Sequence, residues 1–160
     1  KEIARVLYEY GDIKQSRKIA QKIVKYRSEN KIETTSQLKE ILSAFYPKKI
    51  ENKFLSKFFQ ALRIEVNDEI NALKDLLNDV VDLMNDKARL VVISYHSLED
   101  KLIKNLITKG NVDGIDENDF FGNRKLQLTP INKKVIVPTD SECNVNSRAR
   151  SAKLRIAEKI

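Results

Sequence analysis

Apolar residues recur at Ile3, Val6, Leu7 and Tyr10, the i, i+3, i+4, i+7 spacing that lays one stripe along an α-helix. Gly11 is suited to leaving that helix in the left-handed conformation. Ile19, Ala20, Ile23 and Val24 predict a second helix, and Lys14, Lys18 and Lys22 recur every four residues along its other side. Thr34-Thr35-Ser36-Gln37 is a capping-box pattern, so a helix carrying Leu38, Ile41, Leu42 and Phe45 should start there and stop before Pro47. After Lys48-Lys49, Phe54, Leu55, Phe58, Phe59 and Leu62 form one helical face. Ile70, Leu73, Leu77, Val80 and Met84 form another, with Asn67 or Asp68 placed to cap the junction. One bent helix or two consecutive ones satisfy that pattern.

The periodicity then changes. Arg89 to Tyr95 contains Leu90-Val91-Val92-Ile93, four consecutive apolar residues of which three are β-branched, the pattern of a strand covered on both faces in a parallel sheet. Ser97 to Asp100 reads as a second capping box, and Leu102, Ile103, Leu106 and Ile107 carry a helix to Gly110. Residues 111–130 lack periodicity and include Phe120-Phe121, which predicts a long loop. A short strand over Lys133–Val137 and a final one over Lys153–Ile160 complete the series. Helix, strand, helix, strand, strand is the back half of an open α/β sheet, following an all-helical first third.

Composition narrows the chemistry. The chain has 160 residues, 41% of them apolar, enough for one domain or two small ones. Its four glycines, Gly11, Gly110, Gly114 and Gly122, are isolated, so there is no G-x-G-x-x-G and no P-loop. Cys143 is alone and His96 is the single histidine, which excludes an internal disulfide and a four-ligand zinc set and makes a reducing, cytoplasmic setting the default expectation. No apolar run approaches the roughly 20 residues that span a bilayer. A first residue other than Met and the absence of a targeting segment suggest an excised piece of a longer chain.

The net charge of +7 is unevenly placed. Asp12 to Lys31 nets +5 and Asn146 to Arg155 nets +4, so the rest of the chain nets −2, and Ile64 to Asp86 alone nets −6. The basic character is therefore local, and an anionic partner would meet those two segments. The lysine stripe reads equally as a solvated helix face. Arg148, Arg150 and Lys153 precede the final strand. If extended, this segment would project Arg148 and Arg150 to one side for bidentate phosphate contacts, and a disordered basic loop is the alternative.

Ser94-Tyr95-His96-Ser97-Leu98-Glu99-Asp100 sets the single histidine, two serine hydroxyls and two carboxylates at the C-terminal end of a buried strand, where ligands bind in open α/β sheets. The candidates for chemistry are His96, Ser97, Glu99 and Asp100. Helix capping and a hydrogen-bonded core histidine would account for the same residues, and adjacency in sequence does not make a catalytic triad.

Three segments in this order and spacing, residues 59–69 (FQALRIEVNDE), 92–100 (VISYHSLED) and 146–155 (NSRARSAKLR), resemble the RsmH/MraW family of ribosomal RNA methyltransferases. Tyr10-Gly11 and Glu33-Thr34-Thr35 are similar to that family's helical region, and the resemblance runs along essentially the whole chain. It implies S-adenosylmethionine-dependent methylation of the exocyclic N4 of a cytosine in the decoding region of small-subunit (16S) rRNA. It also implies a class I, Rossmann-like domain with a helical insertion that recognises substrate. Residues 1–57 then correspond to most of the insertion, and 58–160 to the C-terminal half of the methyltransferase domain, including its fifth strand and terminal antiparallel pair. The early strands, with most cofactor contacts, have no counterpart here, in keeping with the glycine count. Departures from the family pattern are Asp86-Lys87-Ala88 where a glycine pair is usual, Tyr95 for Phe, Ser147 for Pro, and a short 111–130 loop.

On this reading His96, Ser97, Glu99 and Asp100 line or buttress the cytosine side of the cleft, while Lys14, Lys18, Lys22, Arg148, Arg150 and Lys153 hold RNA phosphates. The alternative is an RNA- or protein-binding module without chemistry. A sheet lacking its first strands would also leave an edge open to self-association, as in a homodimer.

Overall fold

The computed structural model describes residues 1–116, 124–132 and 134–160. They divide into two compact units, Lys1–Glu69 and Ile70–Ile160, a division some twelve residues beyond the family-based boundary at 57/58. Phe120, Phe121, Gly122 and Lys133 lie outside the described residues.

The first unit is helical: α1 (Glu2–Glu9), α2 (Ser16–Glu29), α3 (Thr35–Leu42) and α4 (Glu51–Val66), with 3-10 turns at Ser43–Phe45 and Lys48–Ile50. Its core joins Val6 and Leu7 of α1, Ile19 and Ile23 of α2, Ile41 and Leu42 of α3, and Phe58 and Ala61 of α4. Each large side chain buried there contributes roughly 1.5–3 kcal/mol relative to exposure. The capping box forms as expected: Gln37 N donates to Thr34 Oγ1 at 3.2 Å and Thr34 N donates to Gln37 Oε1 at 3.0 Å.

Two local expectations change. Asp12, not Gly11, takes the left-handed conformation after α1, with φ 50°. Gly11 is needed for a close approach instead, since a Cβ there would sit 2.8 Å from the Leu7 carbonyl oxygen. Lys14 lies in the turn before α2, so only Lys18 and Lys22 of the predicted stripe are on the helix.

The second unit contains α5 (Glu69–Leu83), β1 (Arg89–Ser94), α6 (Ser97–Lys109), β2 (Leu128–Pro130), α7 (Asp140–Val145) and β3 (Lys153–Lys159). Asp68, at φ 53°, separates α4 from α5, so the acidic stretch is two helices rather than one bent one. The described strands form a sheet of order β1-β3-β2, with β3 antiparallel to both neighbours. Leu90 and Val92 of β1 turn toward Leu77 and Val81 of α5 and Leu102, Ile103 and Leu106 of α6.

Three corrections follow. β1 is not covered on both faces: its neighbour is antiparallel, and Val91 and Ile93 stay 58% and 56% exposed because no described element packs on that side. The second strand is Leu128–Pro130, inside the segment expected to be loop. Of the strand expected over Lys133–Val137, the described residues 134–137 form none; Ile136 makes one isolated bridge, to Leu154.

The turn into β1, where the family usually carries glycines, is made by Lys87 at φ 63°. Lys87 N donates to the Lys159 carbonyl at 3.0 Å, and Lys159 N donates to the Ala88 carbonyl at 2.9 Å, which fixes the turn to the end of β3. α6 ends at Gly110, as expected, and Gly110 takes the left-handed conformation there at φ 81°.

Candidate functional site

The antiparallel pairing decides what meets at the end of β1. Ser94 lies opposite Lys153, so the C-terminal end of β1, the first turn of α6 and the start of β3 share one edge of the sheet. Ser147–Ser151, the 3-10 turn feeding β3, arrives at the same edge.

His96, not Ser97, is the N-cap residue of α6, one position earlier than predicted, and Glu99, the third helical residue, makes the reach-back half of a capping box. One Glu99 carboxylate oxygen, Oε2, accepts from the backbone amides of Tyr95 at 2.9 Å and His96 at 3.4 Å. The carboxylate thereby sits at the positive end of the helix dipole. Its other oxygen, Oε1, lies 2.9 Å from His96 Nε2 without hydrogen-bond alignment. Ser97 is the first helical residue and is exposed.

Asp100 faces inward. Its carboxylate accepts from Arg155 Nε at 2.7 Å, Arg155 Nη2 at 3.2 Å and Lys153 Nζ at 3.3 Å. Burial pushes this carboxyl up, but the hydrogen bonds and charges of Arg155 and Lys153 outweigh burial and hold it below the ordinary carboxylate range. Lys153 is thus engaged with Asp100 in this structure. Three buried polar atoms at the edge have no hydrogen-bond partner among the described residues: Ser94 Oγ and both ring nitrogens of His96. Buried polar atoms are nearly always satisfied, so this group is where a ligand or a further segment would bond.

Arg148 and Arg150 are exposed on the 3-10 turn, not on an extended segment. Three residues per turn place them on different sides rather than side by side. Ala149 between them is 6% exposed and pins the turn. Arg148 N donates to Asn146 Oδ1 at 3.1 Å. Sequence reasoning missed Ser94 and Arg155 as members of the site. Arg155 was visible as part of a basic run, but its partner is 55 residues away.

No group of three or more His, Cys, Asp or Glu arranged to hold a metal occurs among the described residues, and no described helix is long and apolar enough to cross a membrane.

Residues 1–160 match the sequence profile of the MraW methylase family. The chain belongs to that family. Among curated relatives, the "Ribosomal RNA small subunit methyltransferase H" of Parabacteroides distasonis is 52% identical over 158 residues, 99% of this chain and 52% of the relative. The protein of the same name from Flavobacterium johnsoniae is 45% identical over 159 residues, again 99% of this chain and 52% of the relative. That from Karelsulcia muelleri is 46% identical over 158 residues, with the same coverage. This MraW-family chain therefore spans about half the length of the curated relatives it matches.

Proposed function

We propose that the protein methylates small-subunit ribosomal RNA in the cytoplasm, on the exocyclic N4 of a cytosine in the decoding region, with S-adenosylmethionine as donor. On this reading the Ile70–Ile160 unit is the later part of a class I Rossmann-like sheet, and the free edge of β1 is where further strands or a second copy would pair. Whole-chain membership of the MraW family supports the reaction class. The observation that carries the site is the unsatisfied trio at the end of β1, Ser94 Oγ and the two ring nitrogens of His96, beside carboxylates that are already engaged.

The described residues do not fit the donor. The Ser94–His96 turn has no glycine to let backbone approach a nucleotide-like group, Glu99 occupies its amides, and Asp100 is taken up by two cations. We therefore place the donor site with the half of the relatives that this chain does not match, and assign the C-terminal end of β1 to the acceptor base.

The N4 amine is conjugated with its ring and weakly nucleophilic, so holding it in a near-attack geometry supplies much of the acceleration. The base must leave its stack to enter such a site. Ser94 Oγ and His96 bond the base edge; Glu99 fixes the turn that carries His96 through the Tyr95 and His96 amides; Asp100 ties the first turn of α6 to β3 through Arg155. Arg148 and Arg150, and in the helical unit Lys14 and Lys18, hold phosphates. Replacing His96 by Ala in the intact enzyme should lower methyl incorporation into small subunits about 100-fold, the scale of a lost orienting or proton-accepting group. An unchanged rate rejects the assignment.

That the described residues form no donor cradle favours a second reading for the 160-residue chain by itself, an RNA-binding module without chemistry. Calorimetric titration with S-adenosylmethionine tests it, and a measurable heat of binding would overturn it.

A further inference from the structure

In the helical unit, α1 and α2 border an open groove whose walls include Tyr8 from α1 and Lys14, Arg17, Lys18, Val24 and Lys25 from α2 and its leading turn. Positions 17, 18, 21, 24 and 25 follow helical spacing, so the α2 wall is one stripe, and Lys14 stands in the turn that leads into it. Lys22 does not line it.

Charge and apolar surface coincide there. Arg5 and Glu9, also in the groove, pair at 3.0 Å and cancel. Arg17, Lys18 and Lys25 have no ion-pair partner among the described residues. Lys14 adds its field near Asp12, whose carboxylate is bonded to Lys57 at 2.9 Å. In the same groove Tyr8 is 64% exposed and Val24 46% exposed, although Val6 and Leu7, on the same helix as Tyr8, are buried. An acidic peptide would satisfy the cations and leave the flat ring unused. A duplex would offer phosphates while its bases stay stacked on one another. A single strand presents phosphates and open base faces together.

We propose that this groove binds a single-stranded RNA segment, one base stacked on Tyr8 and the neighbouring phosphates held by Lys14, Arg17, Lys18 and Lys25. The identification of the strand as RNA rests on the methyltransferase reading above; the groove's preference for an unpaired strand does not.

The test is fluorescence anisotropy on the intact enzyme with a labelled single-stranded oligoribonucleotide of about 12 nucleotides. Tyr8→Phe keeps the stacking face and should bind within about twofold of the unaltered protein, whereas Tyr8→Ala should weaken binding about 5- to 100-fold. The combined Arg17→Ala, Lys18→Ala, Lys25→Ala variant should lower the salt slope by about 2, at about 0.7 per phosphate contact on a single strand. Annealing the RNA to its complement should abolish the Tyr8 effect. Equal binding by Tyr8→Ala and Tyr8→Phe, an unchanged salt slope, or the same Tyr8 dependence with a polyglutamate peptide each overturns the proposal, the last in favour of protein docking. Methyl transfer to small subunits is measured on the same samples. Transfer without Tyr8 dependence of binding overturns the groove and leaves the activity reading standing; Tyr8-dependent binding without transfer by the unaltered enzyme does the reverse.

Discussion

Arg155 holds Asp100 with two hydrogen bonds, Nε to Oδ1 at 2.7 Å and Nη2 to Oδ2 at 3.2 Å, joining the middle strand of the described sheet to the first turn of α6. The two side chains are 16% and 13% exposed, so water screens the pair weakly. Because the folded carboxyl lies below its unfolded value, its stabilising contribution is complete above about pH 4 and disappears as pH falls through the depressed folded value. Asp100→Asn should therefore cost about 1.5–3 kcal/mol at neutral pH. Urea denaturation at a series of pH values should show the gap to the unaltered protein narrowing below about pH 4. A gap independent of pH would contradict the ion-pair account.

Lys87 bears a side chain at φ 63°, where L-residues are disfavoured by roughly 1–2 kcal/mol. Glycine removes that cost and returns part of it through a freer unfolded chain. Lys87→Gly should raise stability by about 0.5–1 kcal/mol and Lys87→Val should lower it, a difference in sign that thermal melts can read.

Lys159 Nζ donates to the Val81 carbonyl at 2.9 Å and to Gln127 Oε1 at 2.9 Å. α5 has no basic residue in its own last turn, so β3 supplies the cation that its C-terminal carbonyls favour. Lys159→Met keeps the apolar stem and deletes the charge, and we expect a loss of about 1–2 kcal/mol by equilibrium denaturation.

Thr34→Ala removes the hydroxyl that accepts from Gln37 N and should destabilise the helical unit by about 1 kcal/mol. Thr34→Ser should retain nearly all of it. Amide exchange in α3 reports the effect directly, and equal protection in both variants would contradict the capping role.

Helices α1 to α6 were legible because each carries its own evidence, such as a 3.6-residue stripe, a Thr34–Gln37 box or a Gly110 stop, whereas the six-residue α7 was not predicted. β1 was legible as a strand, but its neighbours were not, since an apolar run is silent about what covers each face. β2 escaped because three residues ending in Pro130 give no alternation, and Pro is tolerated in such a strand when it lies at an edge. The α6 cap was displaced by one residue because a rule built on hydroxyl side chains points to Ser97, whereas Glu99 reaches back to the amides of Tyr95 and His96. The role of Arg155 depends on a partner in another element and could not be read locally. Arg17 and Lys25 were available in the sequence; steps of three, four and four from Lys14 pass through Arg17 and Gln21 to Lys25, where steps of four alone lead to Lys22.

β3 lies between β1 and β2 in the sheet but follows both in sequence, with Arg89 paired to Glu158. During synthesis, β1 and β2 therefore leave the ribosome with no strand between them, and the β1 edge that carries Ser94 and His96 stays unassembled until Lys153–Lys159 arrives. A chain broken off before that strand would lack the Arg155 and Lys153 partners of Asp100 on α6 and the Lys159 contact to the end of α5, so the site is completed by the last strand made.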